Sequence, residues 1–158
     1  MRILLVLMLV LGSVIARAQT YTGKVTAVKD GDTIEMLVNG KAVRIRLFGV
    51  DSPEKGQAFG EKARQYTASL CFGKVVTAKQ QSRDQYRRVV AEVYLPGGGS
   101  LNLQLVKAGY AWQYTQFNKT REMALAQTEA KAARKGLWQD AHPVAPWVWR
   151  KQRRSAAR

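Results

Sequence analysis

Apolar and polar residues alternate along the chain from residue 21 to residue 47, which is the pattern of half-buried β-strands. Two alternating runs meet at Asp30-Gly31, and a second hairpin signal, Asn39-Gly40, leads into a third run. In that run apolar residues alternate with arginines: Val43, Arg44, Ile45, Arg46, Leu47. The pattern predicts a meander of three antiparallel strands, with two arginines on one face of the third.

Helical spacing follows the predicted meander. From Gln57 to Leu70 apolar residues recur four, three and four positions apart, which is the period of an amphipathic helix. We then expect strands over 75–79 and 89–95, a short helix from Ser100 to Lys107, and a last helix over about 120–135. Five short strands with a helix between the third and the fourth are the order of an OB-fold. The sequence predicts a mainly β fold with α, a five-stranded OB-fold barrel with about three helices.

Both ends of the chain differ from this core. Residues 1–18 combine Arg2, an apolar run and the small-residue pattern Ala16-Arg17-Ala18, which is typical of a secretory signal peptide. A membrane anchor would need about 20 apolar residues, and Arg17 interrupts the run before that length. We expect an exported protein, periplasmic or extracellular, with a domain at 19–138 and a basic, largely unstructured tail at 139–158.

The charge of the chain favours a polyanionic partner. Lys and Arg number 26 against 11 Asp and Glu, so the formal net charge is +15. A field of this sign concentrates nucleic acid or anionic lipid near the surface. A single cysteine, Cys71, and a single histidine exclude a disulfide framework and cages of thiolate or imidazole ligands. Any metal site must therefore use carboxylate and carbonyl oxygens.

Two acidic motifs lie at the ends of neighbouring predicted strands. Asp30-Gly31-Asp32-Thr33 would by itself be an ordinary turn. Val50-Asp51-Ser52-Pro53-Glu54 adds two carboxylates, and a hydroxyl residue before proline, at the end of the third strand. If the meander pairs as predicted, Asp32 and Asp51 can face one another. Two carboxylates and a carbonyl form an oxygen-only site of the kind that calcium prefers.

Arginines accompany these carboxylates. Arg46 precedes Asp51 by five residues, and the stretch 83–88 supplies further arginines around Tyr86. Arginines in a turn are ordinarily solvated, but the planar guanidinium is also suited to clamping phosphate. Phosphoryl transfer requires positive charge near the oxygens of its transition state. A metal, a carboxylate base and two arginines are what phosphodiester hydrolysis requires.

The order and spacing of these motifs resemble the staphylococcal nuclease (thermonuclease) family. The resemblance extends from about Tyr21 to Trp138, and it rests on five segments taken together: 30–33, 46–47, 50–54, 84–88 and 136–138. It implies an OB-fold, calcium-dependent endonuclease that acts on DNA and RNA. In such an enzyme water attacks phosphorus, and the products typically carry 3′-phosphate ends.

The resemblance also implies roles for residues of the acidic motifs. Asp32 and Asp51 would bind calcium through their side chains, and Ser52 would bind it through its backbone carbonyl. Glu54 would act as the general base or orient the attacking water. Asp30 would be an outer carboxylate of the same site.

The substrate-binding roles fall on other positions. Arg46 and Arg88 match the two phosphate-clamping arginines of the family, and Tyr86 matches an aromatic residue at the nucleotide site. Tyr114 is a weaker match to a base-stacking aromatic. These assignments make the catalytic set Arg46, Glu54 and Arg88.

Two positions depart from the family's pattern. Gln85 stands where a lysine is often found, and Arg87 stands where a glycine usually separates Tyr86 from the arginine. If this backbone position has a positive φ, arginine there costs about 1 kcal/mol. If the turn is instead rebuilt, Arg87 rather than Arg88 could face the phosphate, so both remain substrate-contacting candidates.

A noncatalytic OB-fold that binds nucleic acid is the main alternative, with arginines and Tyr86 as a charged stacking platform. The carboxylates argue against it, because they repel phosphate unless a cation intervenes. A membrane-active cationic protein is a third hypothesis, but the alanine-rich last helix offers little apolar depth. We expect a monomer with DNA and RNA as substrates and no membrane partner after leader removal.

Overall fold

A computed structural model of the chain describes residues 19–156. The predicted signal peptide, residues 1–18, lies outside the described residues. The strands are β1 (Thr20–Asp30), β2 (Thr33–Val38), β3 (Lys41–Leu47), β4 (Val50–Asp51), β5 (Val75–Arg83), β6 (Val89–Tyr94) and β7 (Trp112–Gln113). The helices are α1 (Gly60–Cys71), α2 (Leu101–Lys107), α3 (Arg121–Ala132) and α4 (Pro146–Ala156), with a 3-10 turn at Gly136–Gln139.

Five of the strands close into a barrel in the order β1-β2-β3-β6-β5. The first three form the predicted antiparallel meander, β6 runs parallel to β3, and β5 pairs with both β6 and β1. The short strands β4 and β7 form a separate two-stranded ladder. This arrangement confirms the predicted five-stranded OB-fold barrel; residues 19–156 contain four α-helices, where about three were expected.

Local sequence explains the hairpins and the interior of the barrel. Asn39 and Gly40 both have positive φ, as a tight turn between two twisted strands requires. The alternation of apolar residues carries one face of each strand inward, so the interior is filled by buried aliphatic side chains: Val25, Ile34, Met36, Ile45, Leu47, Val76, Val89 and Val93.

The C-terminal segment differs from its prediction. Residues 146–156 form helix α4, so the prediction of a largely unstructured tail is wrong there. Pro146 opens the helix, where a missing backbone N–H costs nothing. Trp147 then packs against Trp112 and Tyr114 on the domain, with ring centroids 5.7 and 5.4 Å away. Among residues 19–156, no helix has the length and apolar character needed to cross a membrane.

Candidate active site

Arg46 joins two buried carboxylates at one end of the barrel. Asp32 follows the turn between β1 and β2, and Asp51 lies in β4. Arg46, near the end of β3, places Nη1 3.0 Å from Oδ2 of Asp32 and Nη2 2.9 Å from Oδ1 of Asp51. The same guanidinium donates to the carbonyl of Val50 at 3.0 Å. Asp32 and Asp51 therefore lie close together, and one arginine contacts both.

Ser52 is tied to the same cluster. Its backbone N–H donates to Oδ2 of Asp32 over 2.6 Å, and its buried hydroxyl has no hydrogen-bond partner. Gly31 permits this close approach, because a Cβ at that position would lie 2.5 Å from the Cβ of Ser52. The glycine next to Asp32 is thus required by packing as well as by the turn.

The electrostatics of the cluster centre on Asp32. Burial raises the pKa of Asp32 well above its usual range; the positive charge of Arg46 opposes this effect, while Asp30 and Asp51 add to it. Asp30 also accepts the backbone N–H of Asp32 at 3.0 Å, which places it beside the cluster. Burial therefore makes the charged form of Asp32 costly, and Arg46 offsets only part of that cost.

The donor set can be tested against a metal. Across residues 19–156, no three side chains from Asp, Glu, His and Cys are grouped so as to hold a metal ion. The predicted set needs only two, since Asp32 and Asp51 supply carboxylates and Ser52 supplies a carbonyl. All of these donors are oxygens, and the unpartnered Ser52 hydroxyl lies beside them. The residues fit a hard cation such as calcium.

Glu54 lies in the loop between β4 and α1, partly exposed to solvent. Its backbone N–H donates to the side-chain carbonyl of Gln57 at 3.0 Å, and Gln57 donates from its amide to the carbonyl of Val144 at 2.6 Å. The loop that carries Glu54 is thereby attached to the segment that precedes α4.

Arg88 reaches the same end of the barrel from the turn between β5 and β6. Its Nε donates to Oδ2 of Asp84 at 2.6 Å, and Nη1 lies 3.4 Å from Oγ1 of Thr33. Thr33 is the cross-strand neighbour of Arg46, so the two predicted phosphate-binding arginines lie on adjoining elements. The guanidinium of Arg88 also lies over the ring of Tyr86, 5.5 Å from its centroid. Tyr86 itself is 71% exposed.

Asp84 organises this turn. Its carboxylate accepts the backbone N–H groups of Tyr86 and Arg88 at 2.9 and 3.0 Å, besides the side chain of Arg88. Burial is the largest single influence on the pKa of Asp84 and acts to raise it, but the hydrogen bonds from Arg88 and Tyr86 together lower it. Asp84 therefore remains ionised and fixes the direction of Arg88.

Arg87 stands where the family usually has a glycine. Its φ is +63°, which is the left-handed conformation that glycine adopts without strain. The turn is therefore kept and not rebuilt. The side chain of Arg87 is exposed, whereas Arg88 is half-buried and extends to Thr33. The geometry places Arg88, and not Arg87, at the site.

Tyr114 lies beside β4 but is covered by α4. Its backbone N–H donates to the carbonyl of Gly49 at 2.9 Å. Its ring stacks on Trp147, with centroids 5.4 Å apart and planes inclined by 6°. The predicted base-stacking residue is thus close to Asp51 in the fold, and its stacking partner in this structure is a tryptophan of the same chain.

Arg150 is the site residue that the sequence analysis missed. From α4, Nη2 contacts Oδ2 of Asp51 at 2.8 Å and Nη1 contacts Oε1 of Glu54 at 2.6 Å. The hydrogen bonds with Asp51 and then Glu54 raise the pKa of Arg150, against the effect of burial. The sequence does hold a signal for this helix. Pro146 is typical of a helix start, and Trp147 and Arg150, three residues apart, would share one helix face.

Comparisons with known proteins agree with this geometry. Residues 44–140 match the protein family described as "Staphylococcal nuclease homologue". An Escherichia coli protein named "Uncharacterized endonuclease" is 46% identical over 128 residues, which cover 81% of this chain and 84% of that protein. The "Micrococcal nuclease" of Shigella flexneri is 38% identical over 146 residues, covering 86% of this chain and 84% of the relative.

Proposed function

Because the chain belongs to the staphylococcal nuclease family and is a nuclease hydrolase, we propose that it is a calcium-dependent endonuclease acting on DNA and RNA. One observation carries the proposal: Arg46 holds two buried carboxylates together next to the partly exposed Glu54. A binding module has no use for such a cluster facing phosphate unless a cation intervenes.

Asp32, Asp51 and the backbone carbonyl of Ser52 would hold the calcium ion. When bound, calcium would offset the negative charge of the phosphate and attract the phosphate to the site. The geometry supports this assignment, because Asp32 and Asp51 are both buried and are close enough for one arginine to contact both. The hydrogen bond from Ser52 to Asp32 keeps the two segments of the site in register.

Glu54 would accept the proton of the attacking water. More than a third of the surface of the Glu54 side chain is exposed, so solvent can reach its carboxylate. The oxygen of water forms a bond to phosphorus, and the bond from phosphorus to the 5′ oxygen breaks. The 5′ oxygen takes a proton from solvent, and the phosphate stays on the 3′ side. A correctly placed base of this kind contributes roughly 10²- to 10⁴-fold to the rate.

Arg46 and Arg88 would bind the phosphate as its charge develops. Arg88 is oriented by Asp84 and Thr33, and Arg46 is oriented by the carboxylates. Guanidinium groups held in place by other hydrogen bonds stabilise a transition state without reorganising during the reaction. Tyr86, exposed next to Arg88, is available to contact the nucleotide.

Cleavage of a supercoiled plasmid tests the proposal against the noncatalytic alternative. The purified protein should nick and linearise the plasmid with calcium and leave it intact with excess chelator. Glu54→Gln should bind the plasmid without cutting it, which controls for a contaminating nuclease. Binding without cleavage by the wild-type protein, or cleavage that survives chelation, would contradict the proposed function.

Export and oligomeric state are further parts of the proposal. The leader predicted at residues 1–18 supports an exported protein, and N-terminal mass spectrometry of secreted material would show whether Ala18 is the cleavage position. We expect the mature enzyme to act as a monomer, since one barrel supplies all the proposed site residues. Analytical ultracentrifugation at the concentration used in the activity assays measures the oligomeric state directly.

A further inference from the structure

Helix α4 places the guanidinium of Arg150 against a candidate metal ligand. Both oxygens of the Asp51 carboxylate are engaged, Oδ1 by Arg46 and Oδ2 by Arg150. Arg150 also contacts Glu54, the proposed base. Arg150 thus forms ion pairs with both a candidate metal ligand, Asp51, and the proposed base, Glu54.

The same helix covers the proposed base-stacking residue. Trp147 lies one helical turn before Arg150 and stacks almost parallel on Tyr114. Aromatic stacking of this kind is also how proteins hold an unpaired nucleobase. Arg150 and Trp147 therefore engage two separate features of the site, the carboxylates and the ring of Tyr114.

The attachment of α4 suits a helix that can move. Lys151 to Ala156 are exposed, and the side chain of Arg150 is 35% exposed. The helix is held by its first turn, through Trp147 and Trp149 packed against the domain and through Arg150, and by the preceding segment, which Gln57 contacts at Val144. Segments with few buried contacts open at low free-energy cost.

We propose that α4 holds the site closed by occupying, with Arg150 and Trp147, the positions of a divalent cation and a nucleobase, and that calcium displaces it. This inference rests on the proposed calcium site. A calcium ion at Asp51 would repel the guanidinium of Arg150. Because the ion carries two positive charges, it would also be a stronger partner for the carboxylates than the arginine is. Because the closed form cannot bind the ion, its population raises the apparent dissociation constant for calcium.

Calcium affinity of point variants tests the proposal without measuring activity. Calorimetric titration with calcium alone should show tighter binding for Arg150→Gln, by about 10-fold if the closed form is populated about ten to one. Loss of a nearby positive charge would tighten binding by itself, so Trp147→Ala is the decisive variant. It removes no charge and touches no carboxylate, yet it should also tighten calcium binding several-fold.

Matched controls lie beside each residue. Lys151→Gln makes the same charge change on the exposed face, and Val148→Ala trims the side chain next to Trp147; both should bind calcium as the wild type does. Hydrogen exchange of the wild-type protein gives an independent measurement, because calcium should speed the exchange of α4 amides. Circular dichroism confirms that each variant is folded.

The outcomes separate this inference from the proposed function. Tighter binding by both Arg150→Gln and Trp147→Ala, with faster exchange in α4, supports the closed form. If the wild type binds calcium but Trp147→Ala binds it equally or more weakly, or if calcium slows exchange in α4, the inference is overturned while the metal site stands. If no variant binds calcium, both are overturned.

Discussion

The backbone N–H of Ser52 donates to the Asp32 carboxylate over 2.6 Å, which joins the first hairpin of the barrel to β4. This contact brings together residues 20 positions apart in the chain. The turn motif and the strand-end motif therefore lie in one cluster.

Asp32→Asn should weaken calcium binding by roughly 10- to 100-fold or more, since changes even to partners of metal ligands have effects of that size. The asparagine carbonyl can still accept the Ser52 N–H, so the fold should persist. Calorimetric titration measures the change, and Asp140→Asn, at an exposed position, serves as the control. Asp51→Asn should act in the same direction. Equal affinity in Asp32→Asn and the wild type would remove Asp32 from the site.

Glu54→Gln should lower turnover by roughly 10²- to 10⁴-fold, because an amide cannot accept the proton of the attacking water. Its oxygen can still accept the hydrogen bond from Arg150, so calcium affinity and thermal stability should change little. Steady-state kinetics on a short oligonucleotide measures turnover. Glu61→Gln, an exposed glutamate on α1, should retain it. A large loss of stability with normal turnover of the folded fraction would give Glu54 a structural role.

Arg87→Gly should stabilise the protein by about 0.5–1 kcal/mol, because glycine adopts the observed φ of +63° without the clash that a Cβ introduces. Urea denaturation measures the free energy of unfolding. Gln85 lies two residues earlier without a positive φ, so Gln85→Gly should be neutral or destabilising. A destabilised Arg87→Gly protein would show that the arginine side chain makes a compensating contact.

Cys71 provides a prediction about pH. Burial raises the pKa of its thiol to about 12, whereas an unfolded cysteine loses its proton near about 8.5. Above pH ~8.5 the folded state therefore binds more protons than the unfolded state, so stability falls as pH rises, by on the order of 1 kcal/mol per pH unit. Cys71→Ala lacks this dependence.

The two proteins should therefore be compared by urea denaturation between pH 7 and 10. The alanine variant should be less stable at pH 7, because it leaves a cavity, and the difference should narrow above pH ~8.5. A difference that stays constant across this range would mean that the thiolate is accommodated in the folded protein.

Local patterns accounted for the barrel and for most of the site. The first meander follows from alternation and two hairpin turns, and Thr33, next to Asp32, lies opposite Arg46 once β2 and β3 pair; Asp51 follows a few residues later in β4. Arg87 and Arg88 could not be distinguished by spacing alone, because their directions depend on how Asp84 and Thr33 hold one side chain.

The role of α4 could not be predicted in the same way. Its first turn carries Pro146, Trp147 and Trp149, which indicate a packed helix start, but the rest is polar and basic, and the residues that the helix contacts are distant in the chain. Arg150 and Asp51 are 99 positions apart. A pairing of that kind depends on the finished fold, in which β4 and β7 present Asp51 and Trp112 side by side to the helix.

The exposed cations of α4 should strengthen nucleic-acid binding without taking part in the chemistry. Lys151, Arg153 and Arg154 are exposed, whereas Arg150 is engaged with Asp51 and Glu54. Each phosphate that such a side chain neutralises releases counterions, which steepens the salt dependence of binding by about 0.9 units of log–log slope. Changing all three to glutamine should flatten the slope by roughly two to three units, while turnover at saturating substrate stays near the wild-type value.

The measurement is a salt titration of DNA binding in the Glu54→Gln background, which prevents cleavage during the assay. A triple change of Lys107, Arg121 and Lys135 to glutamine is the matched control, because these exposed cations lie outside α4 and carry the same total charge. If both triple variants flatten the slope equally, the attraction comes from the overall charge of the protein and not from α4. If the α4 variant instead loses turnover on short oligonucleotides, the exposed cations of α4 contact the substrate at the reacting phosphate. The prediction that they only strengthen binding would then be wrong.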